Sequence, residues 1–243
     1  MFQEIIIPII YLLSAVFFIL GLKQLSHPRT APKGNTFAAV GMLMAIVGTV
    51  LKTDIISYEL IIIGLIVGGA VGAVFAKRVE MTSMPQLVAL FNGFGGLSSL
   101  LVATAEVYKG SLPATFTLST ISLSILIGSI TFSGSLVAFA KLQGLMRGKP
   151  LVFKGTQIFN GLLILAVIVM TVLSILNPDQ LFDYILWIII FSLVIGYYFV
   201  VPIGGADMPV VISLLNSLSG IAAALAGFIY SNNVMIIGGI LVG

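Results

Sequence analysis

The sequence predicts an all-α polytopic membrane protein with about nine transmembrane helices, and three observations carry that prediction. Hydrophobic residues make up 59% of 243 positions and charged residues only 8%, against about a quarter charged in a soluble domain. The apolar residues gather in runs of the length needed to cross a hydrocarbon core of about 30 Å, which takes about 20 helical residues. Basic residues concentrate on alternate loops, the asymmetry of a membrane topology. With no cysteine in the chain, disulfides and thiolate metal sites are excluded, and no other metal site is expected. A net charge of +3 is too small and dispersed for nucleic acid. The first apolar run, Ile5 to Leu22, is long and lacks a basic leader or a small-residue cleavage site, so it reads as a span, not a signal peptide.

The runs place helices at about 4–23, 36–52, 57–77, 84–107, 118–140, 157–176, 182–201, 208–229 and 232 to the end. Turn chemistry separates them: His27-Pro28-Arg29 with Lys33-Gly34-Asn35, Lys109-Gly110 with Pro113, Arg147-Gly148-Lys149-Pro150, and Asn177-Pro178-Asp179. The last run holds about twelve residues, a rise of about 18 Å, so the sequence is expected to stop inside a helix. Lys23, Arg29, Lys33, Lys77, Arg78, Lys141, Arg147, Lys149 and Lys154 lie on one side, and only Lys52 and Lys109 on the other. That bias puts the N-terminus outside and the C-terminal end on the cytoplasmic side. The acids Glu80 and Asp207 then lie at the cytoplasmic face.

One segment recurs. Met84 through Ala103 aligns without gaps to Met208 through Gly227, with six identities in twenty: Met84/Met208, Pro85/Pro209, Leu90/Leu214, Asn92/Asn216, Gly96/Gly220 and Leu101/Leu225. Both copies read as buried helices with an asparagine facing inward, entering from the same side as a parallel repeat. Three spans carry narrow polar faces at helical spacing. The fourth shows Asn92, Gly96, Ser99 and Ala103; the fifth, Ser124, Gly128, Thr131, Ser135 and Ala138; the eighth, Ser213, Asn216, Gly220, Ala223 and Gly227. Gly64, Gly68 and Gly72 in the third span form a stripe that would let a neighbouring helix approach closely, and Gly96 and Gly220 are read as packing glycines too. The seventh span, bulky and apolar all round, is expected to face lipid.

Each polar residue also has a plain structural reading. A buried Ser or Thr in a membrane helix commonly bonds its own preceding turn or glues two helices. Asn is costlier to bury, having four hydrogen-bonding positions to satisfy. Asp207 and Ser83 precede helix-opening Met-Pro pairs and could serve as N-caps, with Gln86 completing a capping box after Ser83. His27 reads as a solvated loop residue. Gly93-Phe94-Gly95-Gly96 lacks the strand and third glycine of a dinucleotide fingerprint. No lysine, arginine or carboxylate is expected deep within the spans, Glu106 lying near an end. The residues therefore offer a polar path of Asn92, Thr131, Ser135, Ser213 and Asn216 without an evident titrating group.

Three stretches carry a resemblance: Ala76-Lys77-Arg78-Val79-Glu80-Met81-Thr82-Ser83-Met84-Pro85-Gln86-Leu87-Val88-Ala89, Thr131-Phe132-Ser133-Gly134-Ser135-Leu136-Val137-Ala138-Phe139, and Gly204-Gly205-Ala206-Asp207-Met208-Pro209-Val210-Val211 continuing through Asn216 and Gly220. Together they resemble the membrane domain of the β subunit of proton-translocating NAD(P) transhydrogenase, over essentially the whole chain. The resemblance implies that residues 1–243 form a proton-translocating domain with no catalytic or nucleotide-binding residue of its own. NAD(H) and NADP(H) would bind elsewhere in the complex: in the NAD(H)-binding α portion, and in a C-terminal NADP(H)-binding domain absent from this chain. It implies α-subunit membrane helices as partners, a dimer of the whole complex, and a bacterial cytoplasmic membrane. Asn216 and Ser135 would line the channel, while Asp207 and Glu80 would face the nucleotide domain. Many family members carry a histidine where this chain has Asn92, so a water-and-hydroxyl relay or an imidazole from a partner would be needed here. An ion-coupled solute transporter and a purely structural membrane subunit are the alternative readings.

Overall fold

A computed structural model describes residues 2–51, 58–109, 115–152 and 154–243, with side chains from residue 5 onward. Lys52, Asp54, Gly110, Pro113 and the side chain of Glu4 lie outside the described residues. Every regular element described is helical: α1 (Phe2–Leu25), α2 (Ala31–Val50), α3 (Tyr58–Arg78), α4 (Met84–Val107), α5 (Thr115–Leu142), α6 (Thr156–Leu176), α7 (Leu181–Val200), α8 (Met208–Ile229) and α9 (Asn233–Val242). The first eight are long and apolar enough to cross a membrane, whereas α9 is a short apolar helix. The chain divides into two compact units, Met1–Arg78 and Val79–Gly243.

In the first unit α1 and α2 pack as an antiparallel hairpin on small residues. A Cβ at Gly34 would stand 2.7 Å from the Gly21 carbonyl oxygen, so the backbones touch and only glycine fits. Ser14 donates to the Gly41 carbonyl at 2.6 Å, and the Tyr11 and Thr49 hydroxyls pair at 3.0 Å. The sequence places a break at Lys33-Gly34-Asn35, but α2 already begins at Ala31 with Pro32 in its first turn. Proline there needs no N–H, and its fixed φ suits a helix start. Among the described residues a Cβ at Gly64, Gly68 or Gly72 would meet nothing within 4 Å, and α3 has no buried residue, so no described helix packs on this stripe.

In the second unit α5 is the central helix, packed against α4, α7 and α8, while α6 packs on α7 and α9 on α8. Two apolar clusters stack along α5. One gathers Leu100, Ile121, Ile125 and Ile188; the other gathers Ala89, Val137, Met208, Ile212 and Leu215. The segment of α5 from Gly128 to Ser135 lies between them. The seventh span, expected to face lipid, leaves Phe182, Leu186, Trp187 and Ile190 exposed on one side and packs the other. Ile185, Ile188, Ser192, Ile195, Gly196 and Val200 of α7 are buried, and a Cβ at Gly196 would stand 2.5 Å from the Ile130 carbonyl oxygen. Gly196, the one glycine of this helix, lets α5 approach to backbone contact.

Candidate functional site

At the level between the two apolar clusters, α4, α5 and α8 bring polar side chains together. Asn92 on α4 is 7% exposed, and Ser135 and Thr131 on α5 are fully buried. The Asn92 amide nitrogen donates to the Ser135 hydroxyl at 3.1 Å. Its amide oxygen accepts from the Ser219 hydroxyl of α8 at 2.6 Å. Ser219 also lies 2.9 Å from the Asn216 carbonyl oxygen. A hydroxyl has one hydrogen, so Ser219 divides its donation between a side chain of α4 and the backbone of its own helix. The Thr131 hydroxyl, one turn along α5 from Ser135, is buried without a hydrogen-bond partner among the described residues, as is Ser129.

Backbone proximity makes this possible. A Cβ at Gly96 would stand 2.8 Å from the Gly128 carbonyl oxygen, and one at Gly93 would stand 3.1 Å from the Ser135 Cβ. The short side chains of Asn92 and Ser135 meet because glycines let α4 and α5 approach to backbone contact. Gly220 holds α8 equally close to α9, 2.8 Å separating its would-be Cβ from the Gly239 carbonyl oxygen.

Asn216 and Ser213 are placed differently from the sequence reading. Both are exposed, not turned inward, because the apolar Met208, Val211, Ile212 and Leu215 take the face of α8 that the core covers. Burying four large side chains outweighs burying an amide and a hydroxyl. Ser219, a turn beyond Asn216, reaches the cluster instead. Its sequence signal was its place in the hydroxyl-rich run after Asn216.

The capping expectations also change. Neither Ser83 nor Asp207 makes a side-chain cap hydrogen bond. Gln86 donates instead to the Leu142 carbonyl at the end of α5, at 3.3 Å. Asp207 and Glu80 are exposed, and the Thr82 hydroxyl lies 3.5 Å from a Glu80 carboxylate oxygen. By contrast Asn232, not singled out from sequence, caps α9 by accepting from Val234 and Met235 backbone N–H groups at 3.1 and 3.2 Å.

Lys141 is the residue that sequence reasoning missed. Counted as a loop charge, it is 4% exposed, and its ammonium donates to the Val201 and Ile203 carbonyls at 2.5 and 2.6 Å. A lysine thus satisfies carbonyls left over where α7 ends. The Gly205 N–H donates to the Gly148 carbonyl at 2.8 Å. The loop bearing Arg147 and the turn bearing Asp207 therefore sit at one end of the unit, as the alternating charge pattern requires.

These helices and this cluster define an integral membrane protein with an amide- and hydroxyl-lined interior at mid-helix. A family model for the NAD(P) transhydrogenase beta subunit matches residues 7–243. Two curated relatives, both NAD(P) transhydrogenase subunit beta of Rhodospirillum rubrum, are 44% identical over 241 residues, covering 96% of this chain and 52% of each relative. The chain belongs to the NAD(P) transhydrogenase beta subunit family, and it spans about half the length of those relatives.

Proposed function

We propose that this chain is the proton-conducting membrane part of a proton-translocating NAD(P) transhydrogenase in the bacterial cytoplasmic membrane. In that reaction a hydride, carrying both electrons, passes from NADH to NADP+ to give NAD+ and NADPH. The transfer takes place in partner cytoplasmic domains, coupled to inward proton movement. The observation that carries the reading is the Asn92–Ser135–Ser219 cluster joining three spans, with Asn92 and Ser135 buried and Ser219 partly buried. Amides and hydroxyls donate and accept at once, so they pass hydrogen bonds along a line without holding charge. Thr131 extends the line on α5, and Ser213 and Asn216 extend it on the exposed side of α8. Reorientation of the Ser219 hydrogen between Asn92 and its own helix connects or breaks it. Asp207 and Glu80, exposed and without a capping bond, face the NADP(H)-binding domain and report its state electrostatically.

None of Asn92, Ser135 or Ser219 titrates between pH 5 and 8, so the group that holds the proton comes from an α-subunit membrane helix. The test is reconstitution of the complete complex in proteoliposomes with Asn92→Leu or Asn216→Leu. Proton movement driven by hydride transfer is expected to fall at least about tenfold while insertion is unchanged, one interhelical hydrogen bond being worth only about 0.6–2 kcal/mol. Full pumping by both variants would remove the cluster from the path. Solute uptake in place of pumping would favour an ion-coupled transporter.

A further inference from the structure

One side chain ties together the ends of α5 and α7 and the turn that opens α8. Lys141 is 4% exposed, and its ammonium donates to the Val201 and Ile203 carbonyls, on either side of Pro202, at 2.5 and 2.6 Å. Both partners are carbonyls, so the charge is met by the negative end of the α7 dipole and not by a carboxylate. Taking an ammonium out of water is costly, and a helix end can be closed by its own backbone. The Val201 and Ile203 N–H groups already close α7 in that way, onto the Tyr197 and Val200 carbonyls. A buried lysine from sixty residues earlier adds something a local cap does not: it fastens the end of α7 to α5.

A latch of backbone bonds lies against the same carbonyls. The Leu151 N–H donates to the Val201 carbonyl at 3.3 Å and the Gly205 N–H to the Gly148 carbonyl at 2.8 Å, so residues 148–151 run antiparallel to residues 201–205. Pro150 packs on the turn, its Cγ 3.6 Å from where a Cβ at Gly204 would stand. The Val201 carbonyl thus accepts from both Leu151 and Lys141. Beyond the turn Met208 is fully buried, and between these two anchors lies Asp207, a carboxylate oxygen 3.7 Å from the same would-be Cβ at Gly204. The first copy of the repeat is held at the next residue of α5. Glu80 (φ −68°, ψ 152°) and Gly204 (φ −70°, ψ 154°) are extended alike, and each is followed by a 3₁₀ turn and a Met-Pro helix start. Gln86 of the first copy donates to the Leu142 carbonyl. Consecutive residues of α5 therefore anchor the starts of both copies, about 9 Å along the helix from Ser135.

We infer, resting on the reading of Asp207 given above, that Lys141 is the positioning residue for that carboxylate. Its ammonium fastens the turn between α7 and α8 to α5 and to residues 148–151, so that Asp207 is presented to the nucleotide domain from a fixed platform. Gly204 and Gly205 precede Ala206 and Asp207, and glycine gives a chain wide conformational freedom. A turn with so little side chain of its own keeps its place through what grips it from outside. Without the ammonium the Ile203 carbonyl loses this bond, and the turn is left to the two backbone bonds of the latch. Because α5 also carries Ser135, the lysine sets the height of Asp207 relative to the helix that holds the polar cluster.

The test uses the full-length chain in the complete complex, reconstituted in proteoliposomes. Lys141→Met keeps an apolar stem and removes the donors. Proton movement is expected to fall at least about fivefold with insertion unchanged, since misplacing a working group by about 1 Å can cost about a hundredfold. Lys141→Arg, which keeps charge and donors, should stay within about twofold of the unsubstituted rate. The latch is read by a disulfide between Gly148→Cys and Gly205→Cys in a chain with no other cysteine. A Cβ at Gly205 would lie 3.6 Å from the Gly148 Cα, within reach of such a bond. Adding Lys141→Met should slow this cross-link at least about fivefold. The completed disulfide should then restore at least about half of the lost pumping, by holding the turn in the lysine's stead. Unchanged pumping in Lys141→Met, an unchanged cross-linking rate, or a disulfide that restores nothing would overturn the inference. Should Lys141→Met not insert, Lys141→Gln takes its place with the same expectations. Failure of both to insert would make the lysine a folding residue and overturn it as well. An unsubstituted complex that moves no protons sinks the reading of the path instead, and the cross-linking rate alone then decides the role of Lys141.

Discussion

Ser219 on α8 and Asn92 on α4, 127 residues apart in sequence, meet through a hydrogen bond of 2.6 Å from the serine hydroxyl to the amide oxygen. This bond joins the two copies of the repeat, since Asn92 belongs to one and Ser219 to the other. Because the same hydroxyl lies 2.9 Å from the Asn216 carbonyl, the link can open without leaving the serine unsatisfied.

Ser219→Ala removes that link and leaves the Asn92 oxygen unpaired. Proton pumping by the reconstituted complex is expected to fall several-fold. Stability should change by about 0.6–2 kcal/mol, the worth of one interhelical hydrogen bond. Pumping at the unsubstituted rate, with a matching thermal midpoint in detergent, would make Ser219 a bystander.

Gly96→Ala places a methyl 2.8 Å from the Gly128 carbonyl oxygen and 3.0 Å from the Phe132 nitrogen, both backbone atoms that cannot rotate away. Forcing the helices apart is expected to cost about 1–3 kcal/mol and to lower the thermal midpoint and yield. Gly68→Ala meets nothing within 4 Å and should be neutral in the isolated chain. Equal effects at the two sites would refute the packing account.

Asp207 makes no side-chain cap bond, so Asp207→Asn and Asp207→Ala should impair coupling alike, through loss of charge. Each should alter stability by no more than about 0.5 kcal/mol, as surface substitutions do. If Asp207→Asn pumps normally and Asp207→Ala does not, a cap formed in the complex explains the residue.

Asn92 cannot carry a proton, and both ends of its amide are occupied by Ser135 and Ser219. The partner helices are therefore expected to bring a histidine or carboxylate to this level, next to the Ser219 side of the cluster. Mutating each such residue in the co-purifying membrane subunit should abolish pumping. A coupled complex whose partner helices contain none would leave a relay of water and hydroxyls as the path.

The loops holding Arg29, Arg78, Arg147 and Asp207 are expected on the cytoplasmic side. Single cysteines can be introduced there into a chain that has none, and labelling from the outside alone at position 147 would reverse the topology.

Helix number, the polar faces of α4 and α5, and the recurrence of Asn92 as Asn216 were all legible in the sequence. Length of apolar run, side-chain chemistry and helical spacing are local properties of the chain. The sequence by itself thus determined a membrane bundle with amides and hydroxyls on two of its helices. Tertiary structure decided which of those groups meet. The face α8 presents to α5 is a competition between four large apolar side chains and the Ser213–Asn216 stripe. Burial of area won, so Ser219 took the contact that Asn216 was expected to make. The fate of each glycine stripe was likewise undetermined: Gly96 and Gly220 meet a backbone, while Gly64, Gly68 and Gly72 have no neighbour within 4 Å among the described residues. Lys141 looked like a loop charge because its helix end lies among other basic residues. Only the arrival of the α7 C-terminus, sixty residues later, supplied the carbonyls that bury it. Spacing along one helix fixes what lies on a face, and the partner that covers that face comes from elsewhere in the chain.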